Sequence, residues 1–291
     1  MTGEQAGAPW AMAATDGGPR RDWRLRRIQA LAVARLELRS ILSPRSGFWL
    51  YFLAGVPVVI VALHAAFTPR CDLGDDTRIL AGLVQIYFLR LAVFFACLGV
   101  FGRLVRGEIV SRTLHHYFLA PLRREVLIVG KYLGAAAGSA LIFAAGLLAT
   151  FVLMYGHLGD AGRAFVVHGP GLGHLGAYLT ATTLACLGYG AVFLAMGLVF
   201  RNPAVPALLL LVWETFSGIL PAWLQRLSVT FYLKPLLPLA LPEEGPGALF
   251  SVVVEPVPAW LAVVGLVVFA AAVVALACWR VRRLEINYAT D

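Results

Sequence analysis

Six apolar stretches of about twenty residues, nearly free of charge, set what this chain can fold into: residues 48–67, 79–101, 132–156, 175–200, 204–223 and 260–279. A bilayer's hydrocarbon core is about 30 Å thick, so a helix rising 1.5 Å per residue crosses it in roughly 20 residues. Arg201, Asn202 and Pro203 alone separate the fourth stretch from the fifth. Asn-Pro is a turn signal, and two crossings fit the length better than one. Barrel strands alternate apolar and polar residues over about ten positions, whereas these runs are apolar all round. With 60% hydrophobic and only 14% charged residues and a mean hydropathy of +0.79, a soluble domain is excluded. The sequence predicts an all-α polytopic membrane protein with six transmembrane helices.

Lysine and arginine fix the expected orientation, because cytoplasmic loops accumulate them. Of the 24 basic residues, eighteen fall on one side: eight arginines ahead of the first span, six bases in residues 102–131, Arg201, and Arg280, Arg282 and Arg283. Five, namely Arg70, Arg78, Arg163, Arg226 and Lys234, fall on the other. Both termini are therefore expected in the cytoplasm. The net charge of +8 reflects this asymmetry and attraction to anionic lipid, not nucleic acid.

Residues 1–21 read as a disordered tail, and no cleavable signal is expected, since no short apolar core follows the arginines before the first span. Residues 22–47 read as a helix on the cytoplasmic leaflet, with Leu25, Ile28, Ala32 and Leu36 on its apolar face. The six spans occupy residues 48–280, and residues 281–291 form a cytoplasmic tail. Cys97, Cys186 and Cys278 lie in spans and Cys71 stands alone outside, so no disulfide is expected.

The connection 102–131, GRLVRGEIVSRTLHHYFLAPLRREVLIVGK, is too patterned for a plain turn. Glu108 and Arg112 are spaced for an i,i+4 ion pair, and Val110, Leu114 and Tyr117 or Phe118 make an apolar stripe. Pro121 interrupts the helix, and a second one over 122–130 runs into the third span at Lys131. A short amphipathic helix facing the cytoplasm has a face that wants a partner.

Glu108, Ser111, Arg112, Thr113, Leu114, Pro121, Arg123, Arg124, Glu125, Gly130 and Lys131 together form an acid, a small-Arg-Thr-Leu element, a proline, a basic pair, an acid and a Gly-Lys at a span start. This arrangement resembles the type 2 permeases of ATP-binding-cassette exporters, and the layout of most of the chain resembles them too; His115 and His116 depart from the pattern. The resemblance implies a half-transporter of the bacterial inner membrane. It would dimerise with a second copy or a homologous permease and dock on a separate ATPase through Glu108, Ser111, Arg112, Thr113, Leu114, Tyr117 and Phe118. ATP and Mg would be bound by that partner. The sequence agrees with this division: Gly130-Lys131 lacks the earlier glycine and the following Ser or Thr of a phosphate-binding loop.

Arg90 and Glu214 are the two charges placed at membrane depth, where an isolated charge costs about 2.5–3.5 kcal/mol. They are expected to pair, within one chain or across a dimer, or to face substrate. The resemblance puts their spans beside the translocation path, with Tyr87, Phe94 and Trp213 as possible lining.

Gly134 and Gly138 form a G-x-x-x-G that permits close helix approach. His157, His168 and His174 match no standard metal spacing, and no metal is expected. Residues 224–259, rich in proline, are too broken to span and read as a re-entrant segment. A secondary transporter would more often show internal repeats, and a membrane-embedded enzyme would gather its reactive residues at one depth. Neither pattern is present in the sequence.

Overall fold

The computed structural model describes residues 19–68, 72–104, 123–200, 202–217, 220–239 and 257–282, and among these every regular element is helical. The expected coupling residues Glu108, Ser111, Arg112, Thr113, Leu114, Tyr117 and Phe118 lie outside the described residues, as do Pro121 and, of the two expected tails, residues 1–18 and 283–291; residues 19–21 belong to a helix.

The helices are α1 (Pro19–Leu42), α2 (Pro44–Phe67), α3 (Leu73–Phe101), α4 (Arg124–Gly156), α5 (Asp160–Val167), α6 (Gly171–Val199), α7 (Ala204–Phe216), α8 (Ala222–Gln225), α9 (Val229–Leu233) and α10 (Ala259–Arg282). Five of them, α2, α3, α4, α6 and α10, are long and apolar enough to cross a bilayer, as in a multi-pass membrane protein. Of the fifth expected span, 204–223, the described residues show one helix, α7, ending at Phe216, and a second, α8, beginning after Pro221. Pro221 has no N–H to continue a helical ladder. At 1.5 Å per residue α7 is about 20 Å long, less than a full crossing.

The arginine-rich segments share one end of the bundle. There Arg282 Nε lies 2.6 Å from Glu125 Oε1, and Lys131 Nζ lies 3.3 Å from Glu37 Oε2. Gly102, just past α3, abuts Gly197 near the end of α6 so closely that a Cβ on Gly197 would lie 2.6 Å from the Gly102 carbonyl oxygen.

Close helix-to-helix packing runs along α4. A Cβ on Gly130 would come within 2.7 Å of the Ala30 carbonyl oxygen, one on Gly134 within 2.4 Å of that of Ala34, and one on Gly138 within 2.9 Å of Ile41 Cγ2. These glycines lie four residues apart and form a groove that only an unsubstituted backbone provides; α1 lies in it. The row extends to Gly146, which seats Ala54 of α2 in the same way. α1 therefore turns Ala30, Val33, Ala34, Glu37, Leu38 and Ile41 towards α4. The apolar face expected on the leaflet, with Leu25 51% exposed, Ile28 64% and Leu36 66%, points away from α4.

Between the helices sits an aromatic core. Phe94 of α3 meets Tyr189 and Phe193 of α6 at centroid distances of 5.4 and 5.0 Å, edge to face. Tyr132 of α4 donates to the Leu187 carbonyl at 2.8 Å, so its buried hydroxyl is satisfied across the helix pair.

Candidate functional site

A set of buried polar groups gathers around Glu214, near the end of α7 and 4% exposed. Past Pro221 the chain turns back into the bundle: Val229 packs on Gly188 of α6, and Tyr232 on Gly265 of α10. A chain that re-enters an apolar interior carries the unpaired N–H groups of its first helical turn with it, and each must find an acceptor. Glu214 supplies it. Its Oε1 accepts from the Val229 N–H at 2.9 Å, and its Oε2 accepts from the Thr230 N–H at 3.1 Å, the Ser228 hydroxyl at 2.7 Å and the Thr230 hydroxyl. A carboxylate in front of a helix N-terminus is also favoured by the helix dipole. The Tyr189 hydroxyl, 3.2 Å from that of Thr230, extends the network to α6, and the Gln85 amide of α3 donates to the Leu239 carbonyl, within the re-entrant segment, at 2.7 Å.

Within one chain Arg90 does not pair with Glu214. Four donors already occupy the carboxylate, about as many as its lone pairs accept, and no ion pair joins the two side chains. Tyr189 stands within electrostatic reach of both charges. Arg90 lies half-buried in a stretch of α3 the sequence does not foreshadow, Leu83–Ala92, wound as a π-helix. At its end the Val93 N–H donates to Phe88, five residues back. Such turns are rare and frequent at functional sites.

The other expected lining residues are dispersed. Tyr87, on the same wide turn, donates to the Leu53 carbonyl of α2 at 3.1 Å. Phe94 is fully buried in the aromatic core, and Trp213 is half-buried one residue before Glu214. Ser228, Thr230, Tyr189 and Gln85 were not singled out by sequence; the one local signal is Ser228, an N-cap residue type directly before α9. An apolar groove of ≈ 390 Å³ runs between α4, α6 and α10, lined by Tyr132, Leu187, Val267 and Val274 among others.

Of the three expected histidines, the structure brings His157 together with residues of other helices, His64 and Asp76, and not with His168 or His174. His174 instead meets Phe165 and Tyr178 edge on. No family model matches the sequence, and none of the curated proteins is similar to it.

Proposed function

We propose that this chain is the membrane-spanning permease subunit of an ATP-binding-cassette exporter in a bacterial inner membrane. It crosses the membrane six times with α7 and the re-entrant segment completing the fifth passage, has both termini in the cytoplasm, and works as a dimer. A separate ATPase subunit binds ATP and Mg and drives it. The observation that best supports this reading is the seating of α1 on the glycine row of α4, immediately after the connection that carries Glu108 to Phe118. A basic helix packed on the start of α4, where that connection ends, makes a platform of the kind a soluble motor needs, and the given sequence carries no phosphate-binding loop of its own.

Affinity purification of the full chain from its native membrane tests the reading. An ATPase should co-purify, and Leu114→Asp should deplete it while the spans stay folded, because a charge on the apolar stripe opposes docking. Glu108→Ala should weaken the association less, since an exposed i,i+4 pair contributes only about 0.3–0.5 kcal/mol. Recovery of no ATPase, or of an undiminished complex from the Leu114 variant, refutes the docking role. The helix interrupted at mid-bundle supports a second reading, an ion-coupled secondary transporter, in which half-helix termini bind the substrate. Against it, Glu214 already occupies the α9 terminus. Transport that survives ATP depletion but stops when the ion gradient collapses would favour that second reading.

A further inference from the structure

At the end of the bundle opposite the arginine-rich one, three helices converge on a buried carboxylate. Asp76, in the first turn of α3, is fully buried, and its two oxygens face two imidazoles: Oδ1 lies 3.1 Å from Nε2 of His64 on α2, and Oδ2 lies 3.2 Å from Nε2 of His157, just past α4. The three ligand atoms lie within 4.8 Å of one another, and the two rings stand nearly perpendicular, 6.0 Å apart.

The protonation of His157 decides what this arrangement needs. Its Nδ1 lies 3.3 Å from the Leu153 carbonyl, an atom that only accepts, so Nδ1 carries the proton. In the neutral ring Nε2 is then a lone pair aimed towards Asp76 Oδ2, and both buried atoms lack a hydrogen-bond partner. Two acceptors 3.2 Å apart in a dry place repel unless something positive lies between them. A proton on Nε2 serves poorly, because the contact fails hydrogen-bond geometry despite its length. A metal ion lies off the line joining its ligands. Zinc bonds of about 2.1 Å in a tetrahedron hold neighbouring ligand atoms about 3.4 Å apart, close to both contacts seen here. A backbone carbonyl on the second ring nitrogen is also the usual outer support of a metal-bound histidine.

We infer that His64, Asp76 and His157 bind a divalent transition-metal ion of the zinc class, with a coordination position left for water, and that the ion clasps the ends of α2, α3 and α4. Two imidazoles and one carboxylate favour such an ion over magnesium or calcium, which take oxygen ligands. The site is independent of the permease reading, since it uses neither the cytoplasmic connection nor the mid-bundle network.

The test uses the full chain in nanodiscs, purified through a tag that contains no histidine, stripped with chelator and titrated with zinc chloride. One equivalent should bind, Tm should rise, and chelator should reverse the rise, whereas magnesium and calcium chloride should do neither. Cobalt(II) in place of zinc should show the intense d–d absorption of a four-coordinate site, a readout that needs no variant. Asp76→Asn, His64→Gln and His157→Gln should each lose at least about 100-fold in zinc affinity, the upper end of what removing even an outer partner costs. His168→Gln should bind as the parent does. If Asp76→Asn does not fold, the partly exposed His157 carries the comparison. Failure of the parent chain to bind zinc, or equal binding by His64→Gln and His157→Gln, overturns the assignment. A parent chain whose Tm responds to pH but not to zinc overturns it in favour of a protonated ion pair.

Discussion

Replacing Glu214 separates two reasons for a carboxylate at membrane depth. As the acceptor for the re-entrant turn, it satisfies the Val229 and Thr230 N–H groups and two hydroxyls. Glu214→Ala leaves two backbone donors orphaned at about 1–3 kcal/mol each, while the hydroxyls can turn elsewhere. Part of that loss, about 2.5–3.5 kcal/mol on insertion scales, is offset because no charge enters the membrane. The net for Ala is a loss of up to about 3 kcal/mol. Glu214→Asp keeps the charge but withdraws it by about 1.5 Å, one carbon–carbon bond, so it keeps the insertion cost and loses the contacts. Gln keeps one acceptor oxygen and sets an amide against donors whose hydroxyls can adapt. Damage should therefore rise in the order Gln, Ala, Asp, measured by SDS-titrated unfolding in mixed micelles. Adding Arg90→Met should change each value by its own separate cost, additive within about 0.3–0.5 kcal/mol, as for residues that share no contact. Rescue of Glu214→Ala by Arg90→Met would show that the two charges pair and would refute the capping role, as would Asp being the mildest change.

Two further expectations concern the arginine-rich end. Gly134→Val places branched carbon where even a Cβ would lie 2.4 Å from the Ala34 carbonyl oxygen, so α1 should leave its groove and become open to limited proteolysis while the spans keep their Tm; an α1 still protected sinks the packing argument. The Lys131–Glu37 pair, 7% and 19% exposed, should show strong coupling: either neutral single variant costs about 3–5 kcal/mol, and the double variant Lys131→Met with Glu37→Gln costs less than the two combined. Additive losses in that cycle would show that the contact contributes nothing specific.

The long spans were legible because their signal is length and composition, which tertiary contacts barely alter. Residues 175–200 and 260–279 became α6 and α10 with ends moved by a few residues. The outward stripe of α1 is legible in the sequence and the side that packs on α4 is not, and the reason is physical. In water an apolar stripe seeks the protein, but beside a bilayer lipid is as apolar as leucine, and helices associate through small residues that let backbones approach. Leu25, Ile28 and Leu36 thus face outward while Ala30 and Ala34 face the glycines. Gly134 and Gly138 were visible in the sequence; that their partner was α1 was not, because a glycine pair does not name what fills it. The wide turn at Leu83–Ala92 has no sequence signature at all. Depth alone raises the pairing of Arg90 with Glu214, and depth does not distinguish a charge that wants a countercharge from one that answers backbone donors fifteen and sixteen residues further along the chain.

The contacts along α3 suggest where this bundle is stiff and where it yields. Below the wide turn, Val93–Phe101 is clamped to α6: Phe94 packs on Tyr189 and Phe193, and the Phe101 ring covers Gly190 so closely that a Cβ there would lie 2.7 Å away. Gly102 also abuts Pro203 at the start of α7. The re-entrant segment is tied to α7 through Glu214 and to α6 through Tyr189, so these parts are linked as one body. The other body is α4 with α1 and α2 along its glycine row. Among the described residues, the Tyr132 hydroxyl to the Leu187 carbonyl and the Tyr87 hydroxyl to the Leu53 carbonyl bridge the two, the second from the wide turn itself. Densely packed bodies are bistable and not continuously deformable, so relative motion concentrates where regular helical winding is interrupted. Under the permease reading, a push on the connection after Leu104 would reach the α3–α6–α7 body first and be taken up at Leu83–Ala92. That would change the surroundings of Arg90, the charge on this turn that Glu214 does not neutralise.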